Sequence, residues 1–143
     1  MIIWLTGNSG AGKTTIANLL EKNRPARVVV LDGDEMRGSI SIGAGFTPAE
    51  RSLHCLRVAM LARVLETRGH LVVVAVIAPF KVLRGRIDDL CSPVWVYVDR
   101  TLPADPEKPY EPPEDPALVV DNDRTRPGEA VRMIWELVEE MER

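Results

Sequence analysis

The sequence predicts an α/β fold, a three-layer sandwich around a mostly parallel five-stranded sheet. Short apolar runs rich in β-branched residues alternate along the chain with stretches of helical spacing. The run from His70 to Ile77 is almost wholly apolar, which is typical of a strand covered on both faces of a parallel sheet. A length of 143 residues suits one domain, so we expect residues 1–143 to fold as a single unit.

The first elements are a strand, a helix, a second strand and a loop. Met1–Thr6 is a short apolar run that ends at a glycine, and apolar residues recur at helical spacing from Ile16 to Leu20. Residues 27–32 are β-branched and end in carboxylates, which predicts the second strand. Residues 38–46 contain three glycines and predict a loop.

A long helix is predicted to begin after Thr47. The sequence from Thr47 to Glu50 forms a capping box with proline at the first helical position, and Gly69 ends the helix. We expect the buried stripe of this helix to consist of Leu53, Leu56, Met60, Leu61, Val64 and Leu65.

The second half of the chain predicts two helices, two strands and an extended segment. A helix is expected over residues 82–90, and strands over 94–98 and 117–120. Six of the eleven prolines lie within residues 103–116, which predicts an extended, polyproline-like segment. A final helix opens near Pro127. The residues that it is expected to bury are Val131, Ile134, Trp135, Val138 and Met141.

Composition excludes several classes of protein. Hydrophobic residues make up 45% of the chain and charged residues 27%, a globular balance rather than a disordered or fibrous one. No apolar run is long enough to span a membrane, and no basic region precedes the short apolar N-terminus, so we expect neither a membrane anchor nor a signal peptide. Cys55 and Cys91 do not make a disulfide framework, which favours the reducing cytoplasm.

Charge is distributed unevenly along the chain. The net charge of −3 combines zero for residues 1–36, +4 for residues 37–98 and −7 for residues 99–143. Fourteen of the eighteen basic residues are arginines, and seven of these fall between Arg37 and Arg86. Because the guanidinium fork suits phosphate and sulfate oxygens, the middle of the chain is where we expect an anionic ligand.

A phosphate-binding motif follows the first strand. Residues 7–14 fit the pattern G-x-x-x-x-G-K-[ST], and a strand precedes and a helix follows them, as in the P-loop NTPase fold. Backbone amides of such a loop and the helix N-terminus bind phosphates. Lys13 would bridge the β- and γ-phosphates, and the Thr14 hydroxyl would ligate Mg²⁺. We therefore predict that ATP and Mg²⁺ bind at Gly7, Asn8, Ser9, Gly10, Ala11, Gly12, Lys13, Thr14 and Thr15.

The surrounding sequence narrows the kind of nucleotide-binding protein. A GTPase would carry an N-K-x-D motif, which is absent. A motor ATPase would place an acidic residue at the end of a long apolar strand, but no acidic residue follows the apolar run that ends at Ile77. Carboxylates stand instead at Asp32 and Asp34, at a strand end that faces the phosphate loop in a parallel sheet. Asp34 could accept the proton of an attacking hydroxyl or hold the metal's water shell together with Thr14, as phosphoryl transfer requires. The alternative is a turn with solvated carboxylates.

These motifs resemble the adenylylsulfate kinase family. The matching stretches are the phosphate loop, the D-G-D-x-x-R element at residues 32–37, the G-F-x-x-x-x-R element at 45–51, the I-A-P-F stretch at 77–80 and the Y-E-x-P segment that begins at Tyr110. The order of the later elements is far more specific than the phosphate loop alone. The resemblance covers most of the chain and implies ATP-dependent phosphorylation of the 3′-hydroxyl of adenylylsulfate.

The resemblance also implies residue roles. Asp34 would be the catalytic carboxylate, assisted by Lys13 and Arg37. The substrate-binding residues would be Arg37, Phe46, Arg51, His54, Pro79, Phe80 and Lys81, with the two arginines on the phosphosulfate and Phe46 stacked on the adenine. The residues themselves leave alternatives open. Phe46 could instead be a hydrophobic staple on the helix start, and His54 a plain surface histidine.

The sequence departs from the family pattern in four places. His54 stands where the family has asparagine and Leu56 where it has arginine, and Ala78 replaces a serine. Between Asp99 and Pro109 the chain lacks a stretch that contains the family's lid and a second adenine-stacking aromatic. Since a lid excludes water and encloses a small substrate, its loss predicts an open cleft. Either a partner or another loop closes this cleft, or the acceptor is too large to be enclosed.

Three functions follow as hypotheses. The first is an ATP-dependent kinase acting on adenylylsulfate or a close relative. The second is a phage-type DNA kinase that phosphorylates a hydroxymethylated base such as 5-hydroxymethyluracil, which the basic middle segment would suit and the net charge of −3 would not. The third is a nucleotide-binding switch without transfer activity. The expected partners are a nucleotide and a hydroxyl-bearing acceptor, and no membrane partner is expected. A homodimer is the assembly that we consider.

Overall fold

Five strands form one sheet in the computed structural model, which describes residues 1–143. The strand order is β2-β3-β1-β4-β5, and all four strand pairs are parallel. The strands are β1 (Ile2–Thr6), β2 (Val28–Asp32), β3 (Leu71–Ala75), β4 (Val94–Asp99) and β5 (Leu118–Asp121). This confirms the predicted α/β sandwich, with a sheet that is wholly parallel.

Five helices connect and follow the strands. They are α1 (Lys13–Asn23), α2 (Gly33–Arg37), α3 (Pro48–Thr67), α4 (Lys81–Cys91) and α5 (Pro127–Glu142). None of them combines the length and the apolar character that crossing a bilayer requires.

Two hydrophobic cores lie on the two faces of the sheet. The first core packs α1 and α5 against one face, and the second packs α3 and α4 against the other. Every residue of β1 and β3 is buried, as expected for central strands covered on both faces. The carboxyl ends of these strands and the loops that follow them therefore meet at one edge, where α/β sheets bind ligands.

The buried face of α3 agrees with part of the predicted stripe, since Leu56, Leu61 and Leu65 pack, partly buried, against the second core. Leu53, Met60 and Val64 are about half exposed, at 48%, 51% and 53%. The residues that are buried instead are His54, Cys55, Val58, Ala59 and Ala62. Apolar residues recur on two sides of this helix, and the side with the smaller residues allows the closer approach to the sheet. Met141, also predicted to be buried, is 52% exposed in the last turn of α5.

The short helix α2 was not predicted. Its N-cap is Asp32, whose Oδ2 accepts a hydrogen bond from the backbone N–H of Asp34 at 3.2 Å. Five residues beginning with glycine carry no helical periodicity, so no sequence pattern marks the element. One turn of α2 places Asp34 and Arg37 on the same side of the helix.

Both cysteines are buried and unpaired. Burial raises the pKa of Cys55 to about 12 and that of Cys91 to about 11. The thiols are therefore protonated and inert near neutral pH.

Candidate active site

A cleft of about 720 Å³ opens at the carboxyl edge of the sheet. It lies between the phosphate loop, α2, the start of α3 and the segment after β3. Ten of the predicted site residues line it: Ser9, Gly10, Lys13, Thr14, Asp34, Arg37, Phe46, Arg51, His54 and Pro79. Residues far apart in sequence are thus gathered around one space.

The phosphate loop depends on close backbone approaches. Gly12 has φ 102°, and a Cβ atom there would lie 2.5 Å from the Asn122 side-chain nitrogen. A Cβ at Gly7 would lie 2.3 Å from the carbonyl oxygen of Val98. Asn122 in turn donates a hydrogen bond to the Ala11 carbonyl at 2.7 Å, so a residue from the loop after β5 fixes the phosphate loop.

Lys13 is buried at the base of this loop. Its Nζ donates hydrogen bonds to the carbonyl oxygens of Gly7 at 2.8 Å and Asn8 at 2.9 Å. Burial lowers the pKa of Lys13 to about 8, and the nearby Asp32 opposes that shift. The ammonium is therefore charged near neutral pH and held by groups that an anionic ligand can replace.

Oxygen ligands suitable for Mg²⁺ meet beside Lys13. The Thr14 hydroxyl donates a 2.7 Å hydrogen bond to Asp32 Oδ1, and Asp34 lines the same cleft. No group of three or more His, Cys, Asp or Glu side chains that could hold a metal is present. This donor set fits Mg²⁺, which binds one or two protein oxygens and takes its other ligands from phosphates and water. Asp32, which is hydrogen-bonded to Thr14, is thus a candidate oxygen ligand in addition to the predicted metal residues Thr14 and Asp34.

The Asp34 side chain is exposed in the cleft and forms no hydrogen bond or ion pair. Its backbone groups alone are engaged: the N–H donates to the Asp32 side chain at the cap of α2, and the carbonyl accepts from the Gly38 N–H at 3.1 Å. A carboxylate with this freedom can accept a proton from a bound hydroxyl group.

Two arginines flank the Phe46 ring. The guanidinium carbon of Arg37 lies 4.3 Å and that of Arg51 5.4 Å from the ring centroid, within cation–π range. Backbone carbonyls orient both, since Arg37 donates to Gly45 at 3.1 Å and Arg51 to Phe46 at 2.8 Å. The Phe46 side chain is 64% exposed, and position N4 of α3 is Arg51, so the ring does not form a hydrophobic staple. It is available to stack on a ligand.

His54 is buried in the wall of the cleft rather than on the surface. Its side chain is 2% exposed, and Nδ1 shares a 2.7 Å hydrogen bond with Ser41 Oγ. Nε2 is buried without a partner. Burial lowers the pKa of His54 to about 4, with further contributions from Arg37 and Arg57, so the imidazole is neutral at physiological pH.

Seven predicted site residues do not line the cleft. Asn8 and Ala11 line a neighbouring recess of about 350 Å³. Gly7 and Gly12 shape the loop and Thr15 lies in α1, and none of the three lines the cleft. Phe80 and Lys81 are directed elsewhere. Phe80 packs on the second core, and Lys81 pairs with Glu114 at 2.8 Å.

The proline-rich segment also reaches the cleft, which the sequence did not predict. Glu107 and Lys108 line it, and the Glu107 carbonyl accepts a hydrogen bond from Arg51 at 3.1 Å. Tyr110 shares a 2.8 Å hydrogen bond with Thr6 Oγ1 at the end of β1. These contacts join residues about 50 to 100 positions apart, so no local pattern signals them.

The family model described as adenylylsulphate kinase matches residues 1–105 of the chain. The probable adenylyl-sulfate kinase of Aeropyrum pernix is 35% identical, with 96% of this chain and 92% of the relative covered. That alignment runs over 169 positions, more than the 143 residues of the chain, so the relative carries residues that this chain lacks.

Solved structures are similar over nearly the whole chain. The Mycobacterium tuberculosis APS kinase CysC, in complex with AMPPNP and APS, has a TM-score of 0.89 at 26% identity, covering 96% of each chain. A hexameric APS kinase from Thiobacillus denitrificans has a TM-score of 0.82 at 29% identity, covering 98% of this chain and 29% of that one. The shikimate kinase of Aquifex aeolicus shares the fold, with a TM-score of 0.62 at 14% identity.

Proposed function

This chain belongs to the adenylylsulfate kinase family and is an ATP-dependent phosphotransferase that acts on a hydroxyl group, and from this premise we propose that it phosphorylates the 3′-hydroxyl of adenylylsulfate. One observation carries the proposal. A single cleft contains the phosphate-loop lysine, the free carboxylate of Asp34 and two arginines beside an exposed aromatic ring. Donor, proton acceptor and anion-binding groups are thus arranged for one transfer reaction.

The phosphate loop binds ATP, the phosphoryl donor of the reaction. Its backbone amides and the N-terminus of α1 surround the triphosphate of ATP. Lys13 exchanges its hydrogen bonds to Gly7 and Asn8 for the β- and γ-phosphate oxygens. Thr14 and Asp32 would hold Mg²⁺, which supplies charge neutralisation at the phosphates when bound.

The acceptor half centres on Asp34. The carboxylate takes the proton from the acceptor hydroxyl as its oxygen forms a bond to the γ-phosphorus of ATP. The bond between that phosphorus and the β–γ bridging oxygen breaks, and ADP leaves with its electron pair. Lys13 stabilises the charge that develops on the leaving ADP.

The acceptor is oriented by the groups on the far side of the cleft. Adenylylsulfate offers a flat base and a phosphosulfate anion. Phe46 stacks on the base, while Arg37 and Arg51 bind the anion through the fork geometry that suits these oxygens. His54 and Pro79 form the wall behind them.

A transfer assay tests the proposal. ATP labelled at the γ-phosphate is incubated with Mg²⁺ and adenylylsulfate, with DNA containing hydroxymethylated bases, or with no acceptor. We expect label on adenylylsulfate alone. Label on DNA alone would overturn the proposal, and slow phosphate release that no acceptor stimulates would indicate a switch.

No observation in the structure favours the DNA-kinase hypothesis, so DNA enters only as a control. The proposed location stays the cytoplasm, which the two unpaired thiols suit. A homodimer remains a prediction, to be measured as a molar mass by light scattering.

A further inference from the structure

The segment from Arg100 to Glu111, here called the strap, crosses between the two halves of the cleft. At its start, Thr101 N–H and Oγ1 bind the Asp123 carboxylate at 3.0 and 2.6 Å. Arg100 also donates to the Gly10 carbonyl of the phosphate loop at 3.2 Å. This end of the strap is therefore attached beside the donor site.

The other end of the strap is attached beside the acceptor site. The Glu111 N–H donates to the Pro79 carbonyl at 2.8 Å, and the buried Arg84 donates to the carbonyls of both Ala78 and Glu111. The Tyr110 ring stacks on Tyr97 at 5.9 Å. Between these two fixed ends, Glu107 and Lys108 line the cleft.

Lys108 is the strap residue placed to use this position. It lines both the cleft, to which Ser9, Gly10 and Lys13 contribute, and the neighbouring recess, to which Asn8 and Ala11 contribute. It is exposed, and its ammonium forms no ion pair and donates no hydrogen bond. Only the backbone N–H of Lys108 is engaged, to the Asp105 carbonyl at 3.0 Å.

The other Lys and Arg residues of the cleft are already bound to the protein. Lys13 donates to two carbonyls of the phosphate loop, Arg37 to the Gly45 carbonyl, and Arg51 to the Phe46 carbonyl. Lys108 is thus the cleft cation whose head group has no hydrogen bond to the protein and is free to move onto a ligand. A short strap with a long, flexible side chain can bring a charge to the γ-phosphate without any domain movement.

We propose that Lys108 is a catalytic residue that contacts the γ-phosphate of ATP and stabilises the charge of the phosphoryl group in transfer. The catalytic role of Lys108 rests on the proposed function, whereas its contact with ATP does not. Cations delivered to a transferring phosphoryl group can contribute about 10³–10⁵-fold to kcat when rigidly placed, and we expect less from an exposed lysine.

Binding measurements test the contact without any acceptor. The dissociation constants of AMPPNP and ADP are measured by calorimetry in the presence of Mg²⁺ for the wild type, Lys108→Ala and Lys108→Arg. Lys22→Ala, an exposed lysine in the last turn of α1 outside the cleft, is the matched control. We expect Lys108→Ala to weaken AMPPNP binding by about tenfold and ADP binding by less than about twofold, with Lys108→Arg close to wild type.

The kinetic readout tests the catalytic part. We expect kcat for phosphoryl transfer to fall about 10²-fold in Lys108→Ala, with Lys108→Arg restoring part of it. AMPPNP affinity within twofold of wild type would overturn the contact, and an unchanged kcat beside weakened AMPPNP binding would overturn the catalytic role. If the wild type transfers nothing to adenylylsulfate, the proposed function fails, and the AMPPNP comparison still decides whether Lys108 binds the γ-phosphate.

Discussion

The hydroxyl of Thr14 lies 2.7 Å from Asp32 Oδ1 and joins the first turn of α1 to the end of β2. The strand β2 and the strand before the phosphate loop, β1, are not neighbours in the sheet, because β3 lies between them. The hydrogen bond therefore spans the carboxyl edge of the sheet, from the donor site to the helix that carries Asp34. Asp32 contacts both elements, since Oδ1 accepts the hydrogen bond from Thr14 of α1 and Oδ2 caps α2.

This double role predicts two separable effects of Asp32→Asn. The uncharged amide weakens the oxygen site for Mg²⁺, so the Mg²⁺ concentration for half-maximal activity should rise at least about tenfold. The asparagine side chain can still cap α2, so the free energy of unfolding should fall by only about 1 kcal/mol or less. Titration of activity with Mg²⁺ and urea unfolding measure the two effects. Asp89→Asn, on the exposed side of α4, is the control, and an unchanged Mg²⁺ requirement would remove Asp32 from the metal site.

Replacing Asp34 tests the proton acceptor. Asp34→Asn removes the base while leaving the size of the side chain and the phosphate loop unchanged, so kcat should fall about 10²–10⁴-fold. The affinity for ATP should stay within about threefold, because Asp34 does not belong to the loop that binds the phosphates. Steady-state kinetics and AMPPNP binding give the two values. Glu35→Gln, the adjacent exposed carboxylate outside the cleft, is the matched control. Transfer at more than about a tenth of the wild-type rate would show that Asp34 is not the base.

The local parts of this molecule could be predicted from the sequence because they depend on local chemistry. The conformation of the phosphate loop is determined by its glycines. The start of α3 is determined by the Thr47–Glu50 capping box, in which Thr47 Oγ1 accepts a hydrogen bond from the Glu50 N–H at 3.2 Å. The apolar run of β3 likewise indicates a strand buried on both faces. Each signal lies within a few residues of the structure that it determines.

The contacts that complete the site could not be predicted because they join distant parts of the chain. Asn122 supports the phosphate loop across 111 positions of sequence, and Tyr110 reaches Thr6 across 104. The buried face of α3 was misjudged because hydrophobicity favours Leu53 and Met60, whereas close packing against the sheet selects smaller residues. His54 was predicted to bind substrate, with a surface histidine as the alternative; it lines the cleft but is buried.

Phe46 offers a test of acceptor binding that is independent of the chemistry. The ring is 64% exposed and contributes little to the core, so Phe46→Ala should leave the free energy of unfolding nearly unchanged. Loss of stacking should raise KM for adenylylsulfate by about tenfold, with KM for ATP unchanged. Phe46→Tyr keeps the ring and should behave as the wild type. Equal increases in both KM values would indicate that Phe46 supports the cleft as a whole.

The pKa of Lys13 predicts how nucleotide affinity depends on pH. With a pKa of about 8 in the free protein, Lys13 loses its charge as the pH rises above that value. Bound phosphates favour the charged form, so AMPPNP affinity should fall above pH 8 by up to about tenfold per pH unit. The buried thiols, with pKa values of about 11 and 12, do not titrate in this range. Binding measured from pH 7 to pH 9.5 should show the decline in the wild type and a flat, weak profile in Lys13→Ala, and a flat wild-type profile would contradict the assigned role.

His54 predicts how stability depends on pH on the acid side. Burial lowers the pKa of His54 from 6.5 to about 4 in the folded protein, so between these values the unfolded chain binds a proton that the folded chain does not. Stability must therefore fall as the pH falls from 6.5 to 4, by up to about 1.4 kcal/mol per pH unit for this one group. In His54→Asn the free energy of unfolding should depend less steeply on pH across that window, although its value at pH 7 also changes. Parallel curves for His54→Asn and the wild type in urea unfolding from pH 4 to pH 7 would show that His54 is not the titrating group.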